Sequence, residues 1–415
     1  MMHSHMTTIG DIAQVFDGPH ATPKKISSGP YFLSISSLEK GRLDLTKSAF
    51  LSEEDFKKWT KRITPEEGDL LFSYETRLGE AALMPAGVKA CLGRRMGLLR
   101  FNKDKVIPEY VLYAYLSPAF QQTIKANTLT GATVDRLSIS EFPDFPIRIP
   151  PLEEQEKVAN LLGCIDKKID LNNRINAELE AMAKTLYDYW FVQFDFPDTN
   201  GKPYKSSGGK MASNGSSTPA IPQEWRVGNA SELFDFNPVT PLKKGCIASY
   251  IDMNSLPVKG FMTKKSIRKE FAGGSKFIKN DIAVARITPC LENGKTGVLS
   301  KLEEGEVGFG STEFIILRGK NFPLSSFGAC LARSDSFRQF AISNMTGTSG
   351  RKRIESKILE TYTLPIPSKN LLMKFEEIVH PFFDIMTFKS IENDELAALR
   401  DWLLPLLMNG QVTVR

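Results

Sequence analysis

Basic and hydroxyl-bearing side chains on predicted loops are the residues of this sequence best suited to bind a ligand. Arginine can donate two parallel hydrogen bonds to a guanine edge, whereas lysine, serine and threonine more often contact phosphate oxygens. In the first half of the chain, the candidates for contact with DNA are Lys24, Lys25, Tyr74, Arg77, Arg94, Arg95, Thr133 and Arg136. In the second half, the candidates are Arg286, Thr288, Lys295, Ser311, Thr312, Arg351, Lys352 and Arg353.

The segment Gly347-Thr348-Ser349-Gly350-Arg351-Lys352-Arg353 concentrates this chemistry in one place. Its glycines allow the backbone N–H groups and three cations to converge, and neutralising phosphates with cations supplies much of the affinity for DNA. The segment therefore predicts a DNA contact, although any single cation in the chain could equally be a solvated surface charge.

Catalytic motifs are missing from the same sequence. It contains neither a GxxxxGK phosphate-binding loop nor an HExxH zinc motif. The segment Asn237-Pro238-Val239-Thr240 lacks the second proline and the aromatic residue with which a DNA amino-methyltransferase grips a flipped base. Asp69 and Glu75 lack the lysine that would follow them in a metal-dependent nuclease core. We therefore predict a binding protein with no catalytic residue and no metal or cofactor of its own.

An internal repeat with a period near 217 residues positions these loops. Gly68-Asp69-Leu70-Leu71-Phe72 resembles Asn280-Asp281-Ile282-Ala283-Val284, and Asn127-Thr128-Leu129-Thr130-Gly131 resembles Asn344-Met345-Thr346-Gly347. Arg136 then falls opposite Arg353. Because the sequence diverges between these anchors, the repeat predicts two copies of one scaffold that bind two different targets.

Each half shows the same order of predicted elements, which indicates a mixed α/β (α+β) domain. Strands are predicted at residues 69–72, 97–101, 281–286 and 313–317. A pair of short helices follows, at 109–116 and 118–127 and again at 324–332 and 334–343. A proline-bounded strand closes each half, at 145–149 and 363–366.

A long helix is predicted after each globular part. The apolar positions of the first are Leu162, Ile165, Ile169, Ile175, Leu179, Met182 and Leu186, interrupted by Asn172, Asn173 and Asn176. Those of the second are Phe375, Val379, Phe382, Met386, Leu396, Leu399 and Leu403. The spacing is close to a heptad, so we expect the helices to pair as a coiled coil, and the repeat symmetry with an intervening domain favours an antiparallel arrangement. The alternative is that each helix packs only on its own domain. Pro381 and Pro405 should kink the second helix.

Charge and cysteine usage limit the class of protein. The chain has 415 residues and a net charge of +5, but residues 153–190 and 368–410 each carry −3, so the remainder holds about +11. A positive surface of this kind attracts a polyanion. Five scattered cysteines without a CxxC pair argue against disulfides and zinc and favour a reducing cytoplasm. The sequence lacks an apolar run long enough to cross a bilayer, so no membrane association is expected.

Four segments together resemble type I restriction–modification specificity subunits. They are Pro150-Pro151-Leu152-Glu153-Glu154-Gln155, Leu186-Tyr187-Asp188-Tyr189-Trp190-Phe191-Val192-Gln193-Phe194-Asp195, the stretch from Gly347 to Arg353, and Leu403-Leu404-Pro405-Leu406-Leu407-Met408-Asn409-Gly410-Gln411. The resemblance covers nearly the whole chain. It departs from the family pattern at Pro367-Ser368-Lys369-Asn370-Leu371, where the second helix begins without a PLEEQ-like sequence.

The resemblance implies a division of the chain and a set of partners. Residues 6–150 and 222–367 would be two target-recognition domains, residues 151–192 and 368–410 the two long helices, and residues 193–221 an exposed linker. Each domain would read one half of a bipartite, asymmetric site in double-stranded DNA. Two modification subunits would carry S-adenosylmethionine and methylate adenine, and restriction subunits would use ATP and Mg²⁺ to translocate and cleave. The paired helices would act as a ruler between the half-sites.

Two other classes of function remain open from the residues alone. One is a stand-alone bipartite DNA-binding regulator without enzyme partners, and the other is a methyltransferase with unrecognised motifs. Tests of the purified chain for methyl transfer and for binding of modification subunits separate the three classes.

Overall fold

A computed structural model describes residues 5–19, 21–131, 134–213, 220–348 and 350–414. The chain divides into two compact units. Unit 1 comprises residues 1–168 and 396–415, and unit 2 comprises residues 169–395. The boundary cuts through both long helices, whereas the sequence analysis treated each helix as a segment separate from the two globular domains.

Unit 1 is a mixed domain whose strands are short. Its strands are β1 (Met6–Thr8), β2 (Ala13–Asp17), β3 (Ile26–Phe32), β4 (Leu38–Glu39), β5 (Arg42–Leu43), β6 (Ala49–Phe50), β7 (Leu70–Ser73), β8 (Ala81–Leu83), β9 (Ala90–Cys91), β10 (Met96–Phe101) and β11 (Pro146–Arg148). Its short helices are α1 (Ile9–Ile12), α2 (Glu53–Trp59), α3 (Pro108–Leu116) and α4 (Pro118–Ala126).

An antiparallel sheet in the order β2-β10-β7-β8 forms the centre of unit 1. A second sheet, β6-β3-β9, contains the parallel pair β3 and β9. Every residue of β7 is buried, as expected for a continuous apolar run in a central strand. The aromatic ring of Phe72 stacks on Phe142 with ring centroids 4.7 Å apart, and Tyr115 packs beside them in the core.

Unit 2 repeats this order of elements. Its strands are β12 (Met211–Ala212), β13 (Ile221–Pro222), β14 (Arg226–Asn229), β15 (Phe234–Phe236), β16 (Ile247–Ile251), β17 (Ile267–Glu270), β18 (Ser275–Ile278), β19 (Ile282–Ala285), β20 (Thr296–Val298), β21 (Val307–Gly310), β22 (Phe314–Gly319) and β23 (Thr363–Ile366). The long helix α5 spans Leu152–Tyr187 and continues as a π-helical turn over Asp188–Val192. The remaining helices are α6 (Ser325–Arg333), α7 (Asp335–Ser343), α8 (Ser356–Glu360) and the long helix α9 (Lys369–Met408).

The central sheet of unit 2 has the order β15-β22-β19-β20, which matches β2-β10-β7-β8 strand for strand. The parallel pair β16 and β21 likewise matches β3 and β9. The helical pairs also correspond, since the Ser117 hydroxyl accepts from the N–H of Phe120 at the start of α4, and the Ser334 hydroxyl accepts from that of Phe337 at the start of α7. The predicted repeat is therefore present in the fold.

The two long helices run antiparallel within unit 2. Asn172 of α5 lies against Asn393 of α9, and fifteen residues further along α5 the ring of Tyr187 lies 6.3 Å from that of Phe375. Asn172 is fully buried and donates to the carboxylate of Glu392 and to the amide oxygen of Asn393, both at 2.9 Å. Helix α9 continues unbroken through Pro381 and Pro405.

Two of the predicted apolar positions lie outside the helix seam. Met182 is 53% exposed and Leu399 is 44% exposed, whereas their neighbours Ala183 and Arg400 are on the packed side. Asn172 is in the seam, so the asparagines predicted to interrupt the stripe contribute to it instead. The predicted stripe therefore fails at these two positions, and Asn172 shows that the seam includes a polar residue.

The C-terminal ends of the two helices pack in different units. In unit 1, Leu407 and Met408 are buried in the same core as Ile9, Tyr110 and Leu162. In unit 2, Tyr187, Trp190 and Phe191 of the other helix are buried with Phe327 and Phe375. The C-terminal end of α9, which follows the second domain in the chain, therefore completes the core of the first domain. The C-terminal end of α5, which follows the first domain, completes the core of the second.

Residues 199–210 of the predicted linker are mostly exposed, and aromatic and polar contacts around them hold the chain before and after this stretch. Phe196 stacks between Tyr204 and Trp225, with centroid distances of 4.7 and 5.2 Å. The carboxylate of Asp195 accepts hydrogen bonds from the N–H and the hydroxyl of Ser206 at 2.7 and 2.5 Å. Aromatic residues around a Gly- and Ser-rich stretch supply the contacts that its own composition does not predict.

The N-terminus of α6 is capped from another helix. Glu376 of α9 is 8% exposed, and its carboxylate accepts from the N–H of Phe327 at 2.8 Å and from that of Ser326 at 3.2 Å. These contacts satisfy N–H groups that have no partner within the helix.

Candidate nucleic-acid interface

In unit 1, the end of β7, the start of β10 and the segment before residue 137 are joined by backbone hydrogen bonds. The N–H of Tyr74 donates to the carbonyl of Arg95 at 3.2 Å, and the N–H of Leu137 donates to the carbonyl of Tyr74 at 2.8 Å. The N–H of Thr76 donates to the carbonyl of Asp135 at 3.2 Å. We call residues 74–76, 95 and 135–137 the first loop frame.

Several predicted residues meet in this frame. Arg95 lies 3.2 Å from the carboxylate of Glu75 through its Nε atom and donates to the Thr76 hydroxyl at 3.4 Å. Arg95 and Thr76 both have positive φ angles, of 72° and 71°, a conformation that is uncommon for residues other than glycine. Arg136 is exposed. Tyr74 is 7% exposed, and burial raises the pKa of its hydroxyl.

Unit 2 has a second loop frame at the same place in its sheet. The N–H of Arg286 donates to the carbonyl of Glu313 at 2.9 Å, and the N–H of Ile354 donates to the carbonyl of Arg286 at 2.9 Å. The N–H of Thr288 donates to the carbonyl of Lys352 at 3.1 Å. The second loop frame comprises residues 286–288, 313 and 352–354, and these three bonds match those of the first frame one for one.

In the second frame, the carboxylate of Glu313 lies next to two arginines, Arg353 and Arg286. Arg353 donates from Nε to both of its carboxylate oxygens at 3.0 Å and from Nη2 to Oε1 at 2.7 Å. The Nε of Arg286 lies 4.0 Å from the same carboxylate. The hydrogen bond from Arg353 lowers the pKa of Glu313, so the carboxylate is charged at neutral pH. Lys352 is exposed, and its N–H donates to the Thr288 hydroxyl at 3.1 Å.

Other predicted residues are exposed but lie outside the loop frames as defined. Lys24 and Lys25 are exposed before β3, Arg94 is exposed before β10, and Thr312 and Arg351 are exposed in unit 2. Their contact with DNA stays a prediction. Thr133 is outside the residues that the structure describes.

A third group of predicted residues uses its polar atoms within the domain. Arg77 donates to the carbonyl of Ile35 at 3.2 Å, and Lys295 donates to the carbonyl of Met253 at 2.8 Å. The Ser311 hydroxyl accepts from the N–H of Glu313 at 3.1 Å. These contacts hold loops in place and leave fewer donors for a ligand.

Sequence reasoning did not select the carboxylates of the frames. Glu75, Asp135 and Glu313 stand among the cations, and the sequence analysis considered only Glu75, as a nuclease residue. Of the three, only Asp135 stands next to a predicted basic residue in the sequence, Arg136, and the sequence around Glu75 and Glu313 offered no such signal.

Metal-binding clusters, disulfides and membrane-spanning helices are all absent from the described part of the chain. Within the described ranges, no group of three or more His, Cys, Asp or Glu side chains could hold a metal ion. The five cysteines form no disulfide, and Cys91 and Cys330 are buried. Among the described residues, no helix combines the length and apolar character needed to span a membrane.

Comparison with known proteins agrees with this arrangement. Residues 4–181 match the family described as the type I restriction modification DNA specificity domain. Over 409 residues, the chain is 24% identical to the type I restriction enzyme MjaIX specificity subunit of Methanocaldococcus jannaschii, covering 96% of this chain and 87% of that protein. Over 142 residues, it is 32% identical to the type I restriction enzyme EcoAI specificity subunit of Escherichia coli, covering 32% of this chain and 22% of that protein.

The fold is also similar to a solved structure. It matches the S subunit of the type I restriction–modification system from M. genitalium with a TM-score of 0.58 and 15% sequence identity, covering 97% of this chain and 95% of that one. Residues 4–181 thus match the specificity-domain family, and over nearly its whole length the chain is similar in sequence and in fold to type I restriction–modification specificity subunits.

Proposed function

We propose that the chain reads a bipartite, asymmetric site in double-stranded DNA, with residues 6–150 and 222–367 as its two target-recognition domains. The observation that carries the proposal is the loop frame, which recurs at the same end of the same sheet in both units. Both frames present cations, which suit phosphates and guanine edges, but they differ in their other side chains. The two domains would therefore recognise two different half-sites while sharing one fold.

The role of the chain is recognition, and partner subunits perform the chemistry. S-adenosylmethionine would bind two modification subunits, and ATP with Mg²⁺ would bind restriction subunits. The purified chain should transfer no methyl group to DNA by itself and should do so after modification subunits are added. Methyl transfer by a preparation free of those subunits would contradict this division of labour.

Helix α9 offers a surface for a partner helix. In unit 2, Ile378, Ile385 and Phe388 are 45%, 44% and 64% exposed, and their separations of seven and three residues are those of heptad core positions. Exposed apolar residues at such spacing favour the docking of another helix. We infer that a modification subunit covers these three side chains.

A charge placed on this surface tests the docking. Phe388→Asp should weaken association of the modification subunit, because the complex would then have to bury an unpaired carboxylate. Val239→Asp is the matched control, since Val239 is 96% exposed in a loop of the same unit. Equal association of both variants, measured by size-exclusion chromatography or calorimetry, would place the interface elsewhere.

Exchange of a domain tests the reading of DNA. Residues 6–150 are replaced by the equivalent domain of another specificity subunit, and methylated sites are mapped in genomic DNA. One half of the site should change and the other should persist. Because Leu407 and Met408 complete the core of unit 1, a second exchange that also replaces residues 396–410 controls for misfolding. A change in both half-sites in either exchange would refute independent reading.

A further inference from the structure

The two loop frames share three backbone hydrogen bonds, but they differ in local backbone conformation and in several side chains. Three matched hydrogen bonds define the equivalence, and two positions keep their residue type: Thr76 is equivalent to Thr288, and Arg136 is equivalent to Arg353. Each of these arginines also exchanges two backbone hydrogen bonds with an equivalent partner, which is Leu129 in the first frame and Thr346 in the second. The backbone of Arg136 and that of Arg353 are therefore held alike in the two units.

Four other positions of the frame carry different chemistry in the two units. The pairs are Tyr74 with Arg286, Glu75 with Ile287, Arg95 with Glu313, and Asp135 with Lys352. At the last two of these positions, the sign of the charge is reversed. Thr76 and Arg95 have positive φ angles and the equivalent Thr288 and Glu313 do not, so the two frames differ in local backbone as well as in side chains, and both differences change what a frame can recognise.

The exchanged positions also hold unsatisfied polar atoms. Among the described residues, the hydroxyl of Tyr74 and the Nε atoms of Arg95 and Arg286 are buried and make no hydrogen bond. The Nε of Arg95 is close to Glu75, at 3.2 Å, but outside hydrogen-bond geometry. Buried polar groups without partners are uncommon, and these three lie at positions where the two frames differ.

We propose that the exchanged positions read base identity, whereas the shared Thr and Arg positions hold the DNA backbone in both half-sites. The proposal rests on the function proposed above. The reversed charge has a direct counterpart in DNA, because an arginine such as Arg95 donates to the O6 and N7 acceptors of guanine, and a carboxylate such as Glu313 accepts from the N4 amino group of cytosine. A carboxylate has about four acceptor positions, so Glu313 can keep Arg353 and still accept from a base.

Two arginines of the first frame provide a matched test within the full complex with modification subunits. Arg95→Gln should lower discrimination at one base pair of the first half-site by about 5- to 150-fold. Arg136→Gln should weaken binding of all sequences alike and reduce the slope of log affinity against log salt by about one. In unit 2, Glu313→Gln should change preference at one base pair of the second half-site only. Methylation rates on a library of sites that differ by one base pair give all three results.

The outcomes separate this proposal from the function on which it rests. If the unaltered complex reads no bipartite site, the proposed function fails. If it does read one, but Arg95→Gln and Glu313→Gln weaken all sequences alike, the assignment of base-reading positions is wrong. As a control for assembly, the complex that carries Arg95→Gln should still recognise the second half-site normally. If that variant does not fold, Arg95→Lys keeps the charge but loses the planar fork, and the same loss of discrimination is required.

Discussion

Leu407 lies near the C-terminus of the sequence, yet it belongs to the core formed by the N-terminal domain. It is 1% exposed in the cluster that contains Ile9, Tyr110 and Leu162. Leu407→Ala should therefore destabilise unit 1 and leave unit 2 intact. The substitution removes a buried side chain without introducing charge or changing backbone conformation.

The expected magnitude follows from the burial of Leu407. Replacement of a buried leucine by alanine lowers the free energy of unfolding by 2–5 kcal/mol, because apolar contacts are lost and a cavity remains. Unit 1 contains about 190 residues, and a domain of this size loses about 2–4 °C in melting temperature for each kcal/mol. A loss of about 3 kcal/mol thus predicts a decrease of about 6–12 °C for the transition of unit 1.

Hydrogen exchange of the full chain distinguishes the units. Amide protection should fall in α3 of unit 1 and stay unchanged in α6 of unit 2. Leu399→Ala is the control on the same helix, since Leu399 is 44% exposed and its loss should cost less than about 0.5 kcal/mol. Lower protection in α6 with normal protection in α3 would refute the packing of Leu407 in unit 1.

Three further predictions concern the helix seam, a buried carboxylate and the basic loop. Asn172→Leu should keep or raise the melting temperature but make the register of α5 against α9 less well defined, because a buried polar residue specifies pairing at a cost in stability. Cysteine pairs introduced along α5 and α9 of this variant should then cross-link in more than one register. Cross-linking in a single register would contradict this role of Asn172. Burial raises the pKa of Glu376 above its ordinary 4.5, so its contribution to stability is complete below pH 4.5 and is lost as the pH rises through the folded value. Glu376→Gln should flatten that loss in a series of thermal melts, and an equally steep loss in the variant would assign it to other groups. Arg351→Ala should weaken DNA binding and reduce its salt slope by about one, whereas weaker binding with an unchanged slope would indicate a structural role.

Local pattern was sufficient to predict several central strands, the two helical pairs and the two long helices of this protein. The buried strands β7 and β19 were visible as short apolar runs, and the helical pairs were visible from their period and their serine or proline starts. The internal repeat placed Arg136 opposite Arg353, and the structure gives the two residues equivalent backbone partners. These features depend on neighbouring residues along the chain, so the sequence by itself determined them.

Contacts between distant segments were decided only by the tertiary structure. Heptad spacing did not reveal that Asn172 belongs to the seam and Met182 does not, because the difference depends on where Glu392 and Asn393 lie on the facing helix. The packing of Leu407 on the N-terminal domain likewise leaves no local pattern. In the loop frames, sequence identified cations but not Glu313, since the pairing of a guanidinium with a carboxylate forty residues away requires the fold that brings β19, β22 and the basic loop together. Periodicity specifies which face of an element is apolar, and tertiary packing specifies what that face meets.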